Sequence, residues 1–451
     1  MSNSLREKLV EGDIKKAVLS LAVPMAVANA VQNIFALTDM YFVGKLGSAA
    51  LAAVGMASVV NMAVVTLMVG ISTATRAMVS RYVGAKDFEQ AHSSAVASFI
   101  IGIVLWLGLV ITGVPLAKIV LQLMGAKGQV LSDATGYLRI MLAGSFSVVF
   151  VFVINAILQG AGDARTPMII TVAAAVLNII LDPLFIFGIW IFPRWEINGA
   201  AFATVLSRFI AAAAGFLVLV RGVNAFKLHL TNFRTDVDKI KRFFRIGVPG
   251  GGQTLAANLM GFIMMRLAAG FGVAATAAYT IGIRLNMMAL LPGFALGNAV
   301  AAFVGQNLGA GKRHRAKQGV IFAVKVYEIY IISLGILYYL FARHIFGAFS
   351  DSADVLALGI AYLHIVPLSY PLYAIGAVII RAVNGAGHTL PALWFHLASL
   401  YLVQLPLAVF LSRHLGPVGL WWALFGGLVA QGVLIIPYFL SMRWATVGKW
   451  E

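Results

Sequence analysis

The chain has 451 residues, of which 61% are hydrophobic and only 11% charged; it has no cysteine and a formal net charge of +17. A soluble domain carries roughly a quarter charged residues, so this composition excludes a water-facing globular protein. Disulfides and thiolate metal sites are excluded with the cysteines. The basic excess would suit nucleic-acid binding, but its distribution along the chain assigns it to membrane topology instead.

The charged N-terminus, Met1 to Lys16, leads into an apolar stretch with no small-residue cleavage pattern, so no signal peptide is expected. Twelve apolar stretches then follow in order: 14–42, 50–80, 91–114, 131–159, 167–192, 199–220, 244–270, 274–306, 316–341, 355–382, 389–412 and 418–441. Each is long enough to cross a hydrocarbon core of roughly 30 Å. An even number puts both termini on one side. The loops of that side hold most of the basic residues, among them Lys15, Lys16, Arg81, Lys86, Lys239, Lys241, Arg242, Arg245, Lys312, Arg313 and Arg315. Few lie opposite: Lys45, Lys118, Lys127, Arg139, Arg194, Arg343 and Arg413. The positive-inside rule places both termini in the cytoplasm.

The sequence repeats itself weakly at an offset of 225. Pro24 matches Pro249, Gly47 matches Gly272, Asn61-Met62 matches Asn286-Met287, Gly84-Ala85 matches Gly309-Ala310, and Gly160-Ala161-Gly162 matches Gly385-Ala386-Gly387. An unbroken register over this distance indicates duplication. Each half holds six spans, so the repeats are parallel. The expected fold is an all-α polytopic membrane protein of twelve transmembrane helices in two six-helix repeats. Its parts are an N-terminal lobe (1–222), a basic cytoplasmic linker (223–243) and a C-terminal lobe (244–451). Two such lobes leave a cleft at mid-membrane, where transporters bind substrate. A channel would more often show matched polar residues at equivalent positions, and these are missing.

Three acidic residues lie well inside spans: Asp39, Asp182 and Glu328. A carboxylate there costs several kcal/mol by insertion scales and needs a partner or a task. Glu328 has Lys325 three residues earlier, which predicts a structural ion pair. Asp39 and Asp182 have no basic residue three or four positions away. Asn178 shares a helix face with Asp182, and Pro183 leaves the carbonyl of Ile179 without its helical partner. A carboxylate, an amide oxygen and a free carbonyl together suit a proton or a hard cation; the alternative is that one Asp sits near the interface, hydrogen-bonded and idle. In the second half Asp39 corresponds to Met264, and the stretch around Asp182-Pro183 to Leu405-Pro406, so the titratable chemistry lies in the first. Met260, Met264 and Met287 are candidates for an adaptable substrate cleft, with core packing or lipid contact as the alternative. Gly309-Ala310-Gly311-Lys312 lacks the first glycine and the following Ser or Thr of a phosphate loop. No metal-ligand histidine spacing, nucleophile elbow or hydrolase carboxylate pair is present, so an enzyme is not expected.

At these residues the chain resembles the multidrug and toxic compound extrusion (MATE) family. The resemblance rests on Pro24 to Leu46, with Leu37-Thr38-Asp39-Met40-Tyr41-Phe42-Val43-Gly44, and on Leu51-Ala52-Ala53-Val54-Gly55. It extends to Ile157-Leu158-Gln159-Gly160-Ala161-Gly162-Asp163, Leu177-Asn178-Ile179-Ile180-Leu181-Asp182-Pro183 and Gly199-Ala200-Ala201-Phe202-Ala203-Thr204. It implies a V-shaped, two-lobed antiporter with alternating access in the cytoplasmic (inner) membrane. Such a protein exports small organic cations or drugs in exchange for H⁺ or Na⁺. In the branch similar to the DNA-damage-inducible type, the implied coupling site is Asp39, Asn178, Asp182 and Thr204, the same four being the metal ligands if the ion is Na⁺. Tyr137, Asn155 and Gln32 are implied as polar support, and Pro24 as the hinge of the first span. No cofactor beyond the coupling ion is implied, and no nucleic acid; the partners are organic cations and membrane lipids, and the protein is expected to be a monomer. A lipid-linked oligosaccharide flippase of the same superfamily is the alternative. It would show a more cationic cleft, for which Arg208, Arg266 and Arg284 leave room.

Overall fold

The computed structural model describes residues 5–222, 226–229 and 236–446. The first half opens with a short helix α1 (Leu5–Val10). Next come α2 (Ile14–Gly44), α3 (Ser48–Gly84), and α4 (Phe88–Gly108) joined through a π turn to α5 (Val114–Leu123). α6 (Gly128–Ala143), α7 (Ser145–Gly160), α8 (Arg165–Phe187) and α9 (Glu196–Arg221) complete it. The second half holds α10 (Val237–Ala269), α11 (Val273–Gly309), α12 (Arg313–Leu340) and α13 (Ala342–Gly347). α14 (Ala353–Ile365) runs through a 3-10 turn into α15 (Tyr370–Gly385), and α16 (Thr389–Leu397) through a π turn into α17 (Leu405–Leu415). α18 (Pro417–Leu440) closes the chain.

Among the described residues, ten helices or continuous helix pairs are long and apolar enough to cross a membrane. The pair α6–α7, bent by 45° at Gly144, makes eleven. The twelfth is α10. At about 1.5 Å per residue its 33 residues span the core, but its first turns carry Lys239, Lys241, Arg242 and Arg245. Expected as linker, residues 237–243 are therefore the start of this helix, and Phe243 packs into the first half's core. Of the remaining linker, residues 223–225 and 230–235 lie outside the described residues, while Phe226 and Leu228 are buried against the first half.

The two halves repeat each other closely. α3 and α11 are each 37 residues long and start and end 225 positions apart. The turns entering them need the same backbone, φ 113° at Gly47 and 95° at Gly272, a region glycine alone adopts without strain. Gly162 and Gly387 repeat this at 96° and 85°.

The lobes meet where α3 and α11 end. There is room for no Cβ at Gly84, which lies on the carbonyl of Gln306, nor at Gly309, which lies on the carbonyl of Arg81. Arg81 and Gln306 are themselves 225 positions apart, so the contact is a pseudo-two-fold pair. Residues 71–84 of α3 and 299–309 of α11 are buried without interruption, whereas the opposite ends of both helices are largely open. The lobes are thus closed on the linker side and splay apart toward the other, a V.

The short helix α1 clasps this closed face. Arg6 donates to the carbonyls of Val83 and Gly84, at 3.2 and 2.8 Å, satisfying the carbonyl end of α3. Asn307 and Arg315 of the second half donate to the carbonyl of Leu9, at 3.3 and 3.1 Å.

The predicted ion pair between Lys325 and Glu328 does not form: no salt bridge between them is present among the described residues, and Lys325 is exposed. A spacing of three residues permits contact on a helix but does not enforce it.

Candidate functional site

Asn178 and Asp182 lie one turn apart on α8 and are almost fully buried, at 1% and 0% exposure. The side-chain amide of Asn178 bridges two helices. Its N–H donates to Asp182 Oδ2 at 2.8 Å, and its oxygen accepts from the backbone N–H of Thr204 on α9 at 3.1 Å. Thr204 Oγ1 lies 3.4 Å from the same amide. Asn178 therefore sets the position of Asp182 relative to Thr204.

Asp39 approaches from α2, which packs along α8. Its Oδ1 is buried without a hydrogen-bond partner, and so is Oδ1 of Asn155 on α7. The charge of Asp39 acts on Asp182. Tyr137 of α6 is buried, and both carboxylates act on it electrostatically. Gln32, two turns before Asp39 on α2, is exposed. Pro24 sits buried inside α2, between the clasp at the closed face and Asp39.

The chemistry follows from what is left unsatisfied. Buried polar atoms nearly always have partners, and exceptions call for an explanation. An orphaned carboxylate oxygen on Asp39, with Asp182 on the facing helix held by an amide, fits a proton or a hard cation such as Na⁺, which takes oxygen ligands. Among the described residues no group of three His, Cys, Asp or Glu side chains could hold a metal in the manner of a structural or catalytic site.

Arg208, read in the sequence only as room for a cationic cleft, belongs to this site. Arg208 lies one turn beyond Thr204 on α9, and its guanidinium acts electrostatically on both Asp39 and Tyr137. Local spacing could not find it, because its partners are on other helices; the Thr204 to Arg208 spacing of four was the available signal.

The methionines fall elsewhere. Met260 and Met264 are buried in the core of the second lobe, at 2% and 0% exposure, and are not cleft-lining residues. Met287 is exposed on α11. An unbranched thioether fills irregular core gaps as readily as it lines a pocket.

The comparisons agree with this architecture. The MatE family model matches residues 24–184 and 249–410, the two repeats in turn. A probable multidrug resistance protein NorM from Thermotoga maritima is 27% identical, over 97% of this chain and 94% of its own. A FAD transporter from Shewanella oneidensis is 29% identical, over 97% and 96%. A solved outward-facing multidrug resistance MATE family transporter superposes with a TM-score of 0.90 at 27% identity, covering 99% of both chains. A second solved structure is a MOP superfamily transporter from Pyrococcus furiosus whose binding pocket has reverse polarity, suggesting a different function. It superposes with a TM-score of 0.89 at 28% identity over 99% of this chain and 98% of its own. Twelve spans in two repeats, together with a family match over most of each repeat, establish that the chain belongs to the MatE (MATE) family of multi-pass membrane transporters and is not an enzyme.

Proposed function

We propose that this transporter is a secondary active exporter in which a cation bound at Asp39, Asp182, Asn178 and Thr204 drives alternating access of the two lobes. The observation carrying this reading is the orphaned Oδ1 of Asp39 beside the clasped Asp182. Two carboxylates and one guanidinium, that of Arg208, leave one negative charge for a proton or Na⁺ to compensate. Loading and emptying the site then favour different lobe arrangements in proportion to the ion's differential affinity for them. The multidrug relatives support a small organic cargo, and the sequence resemblance an organic cation. Tyr137, Asn155 and Gln32 are proposed as the polar surroundings of the ion, and Pro24 as the hinge.

The proposed location is the cytoplasmic membrane, with termini and linker inside. A cysteine placed at residue 230, in a chain that has none of its own, should resist membrane-impermeant labelling from outside intact cells. The function is tested in proteoliposomes under a pH gradient or a Na⁺ gradient imposed separately. Efflux of ethidium should follow one of the two and be lost in Asp39→Asn and Asp182→Asn. Wild-type, gradient-driven efflux in both variants would show the site assignment to be wrong.

A further inference from the structure

At the floor of the cleft, where the lobes close, a small cavity is lined from both sides. Thr73 and Arg76 come from α3 of the first lobe; Asn298, Arg381 and Asn384 come from α11 and α15 of the second. Arg76 is 9% exposed. It donates to Gln159 Oε1 at 3.2 Å and, across the lobe interface, to Asn298 Oδ1 at 3.0 Å. Arg381 lies over the ring of Phe294, 5.6 Å from its centroid. The partners of both guanidiniums are therefore neutral. No carboxylate lines the cavity, and neither arginine enters a salt bridge among the described residues.

Such an arrangement is costly. Two like charges withdrawn from water repel each other, and each retains unfulfilled donors in a fork made for planar or tetrahedral oxyanions. Amides compensate the hydrogen bonds only in part and the charge not at all. What the floor lacks is a negative charge, and the position says where it would come from. The cavity, about 10 Å³ with the lobes closed, admits no more than a single water; its two cations belong to lobes that must separate at this point for the linker side to open, and that separation is what would make room for an anion.

We propose that the cleft floor is an anion subsite, in which Arg76 and Arg381 together bind the phosphate of an organic phosphate cargo. The inference rests on the exporter reading and replaces its organic cation with an acidic cargo. A phosphate oxygen on each guanidinium would supply the missing counter-charge through charge-assisted hydrogen bonds. It would also displace the Arg76–Asn298 bond between the lobes, so cargo binding acts on the contact that holds this face closed. The same phosphate chemistry could belong to a soluble molecule or to a lipid headgroup.

The test uses the purified full chain in proteoliposomes with four probes: FAD, riboflavin as its phosphate-free counterpart, a fluorescent phosphatidic acid, and ethidium. FAD or the labelled phosphatidic acid should bind at least about tenfold tighter than riboflavin, and which of the two is moved identifies a soluble or a lipid cargo. Arg76→Gln and Arg381→Gln should remove that preference, and Arg76→Lys should restore part of it, since the charge returns without the fork. Asn298→Asp places a carboxylate against Arg76 without removing a cation, so it should abolish phosphate binding in a folded protein. Equal affinity for FAD, phosphatidic acid and riboflavin, or a phosphate preference untouched in Asn298→Asp and both glutamine variants, would overturn the subsite. The exporter reading is judged separately. If ethidium efflux is gradient-driven and Asp39-dependent while neither phosphate binds, the subsite alone falls. If FAD binds through the arginines but Asp39→Asn still drives its efflux, the coupling site alone falls.

Discussion

The two lobes are copies of one design that have come to hold opposite kinds of interior. In the second lobe a single continuous apolar core runs from α10 to α18 and extends to the start of α2. Apart from Arg381 at the interlobe floor, its interior polar groups are neutral: Tyr370 donates to Asn286 at 3.0 Å and Tyr338 to the carbonyl of Leu285 at 3.1 Å. The first lobe's core is cut in two. One cluster ends at Val64 on α3, Leu142 on α6 and Ala201 on α9; the other resumes at Met68, Val148 and Ala212. Thr204, Ser207 and Arg208 occupy the gap on α9, and Asn178 and Asp182 come in from α8. The same duplicated frame therefore carries a polar layer through one lobe and packs methionine and tyrosine at the corresponding depth of the other. A sealed core stabilises; an interrupted one gives up apolar burial, worth about 25 cal/mol per Å², for a place where charge can come and go.

The largest test of this contrast is charge removal. Asp39→Asn and Asp182→Asn should reduce gradient-driven efflux to the level of protein-free liposomes, while Tyr370→Phe in the second lobe should leave coupling intact. Coupling lost equally in Tyr370→Phe would mean that both lobes carry it.

Next in size are the contacts where the lobes are alike. Gly84→Ala and Gly309→Ala each force a methyl group onto a backbone carbonyl of the other lobe, which cannot rotate away. Both should open the linker side. The reading is thiol labelling of a cysteine placed at Ser80, which is fully buried in the closed face. Acceleration in one variant only would show that the pseudo-symmetry of the gate is structural but not energetic.

A smaller difference is expected between the matched prolines. Pro24 and Pro249 both lie inside a long helix, but only α2 carries a carboxylate beyond its proline. Pro24→Ala should slow turnover more than it weakens cargo binding, and Pro249→Ala should do neither to the same degree. The smallest effects belong to neutral oxygens. Asn178→Ala removes the bridge to Asp182 and Thr204 and should weaken ion affinity about tenfold, Thr204→Ala by a few-fold, in line with roughly 1 kcal/mol per hydrogen bond. Ion-dependent thermal stabilisation of the purified protein measures both.

Much of this was legible in the residues. Span number, repeat and the rarity of intramembrane carboxylates follow from apolar length and from the cost of burying charge, which act locally and leave marks in the sequence. Asn178 beside Asp182 follows from helix spacing. Helix boundaries at charged ends were less legible: the basic run 237–245 looks like a loop because bilayer spans are recognised by their lack of charge, yet a helix can begin in water.

The sequence by itself determined that this chain spans a membrane as two parallel six-helix repeats and that the paired intramembrane carboxylates, Asp39 and Asp182, lie in the first. Only the tertiary structure decided which charges share a space. Arg208 faces Asp39 from another helix, Arg76 and Arg381 converge from opposite lobes, and Met260 and Met264 turn into a core. These relations join residues up to hundreds of positions apart, and no local periodicity records them, because packing between helices is set by side-chain shapes across the whole interface.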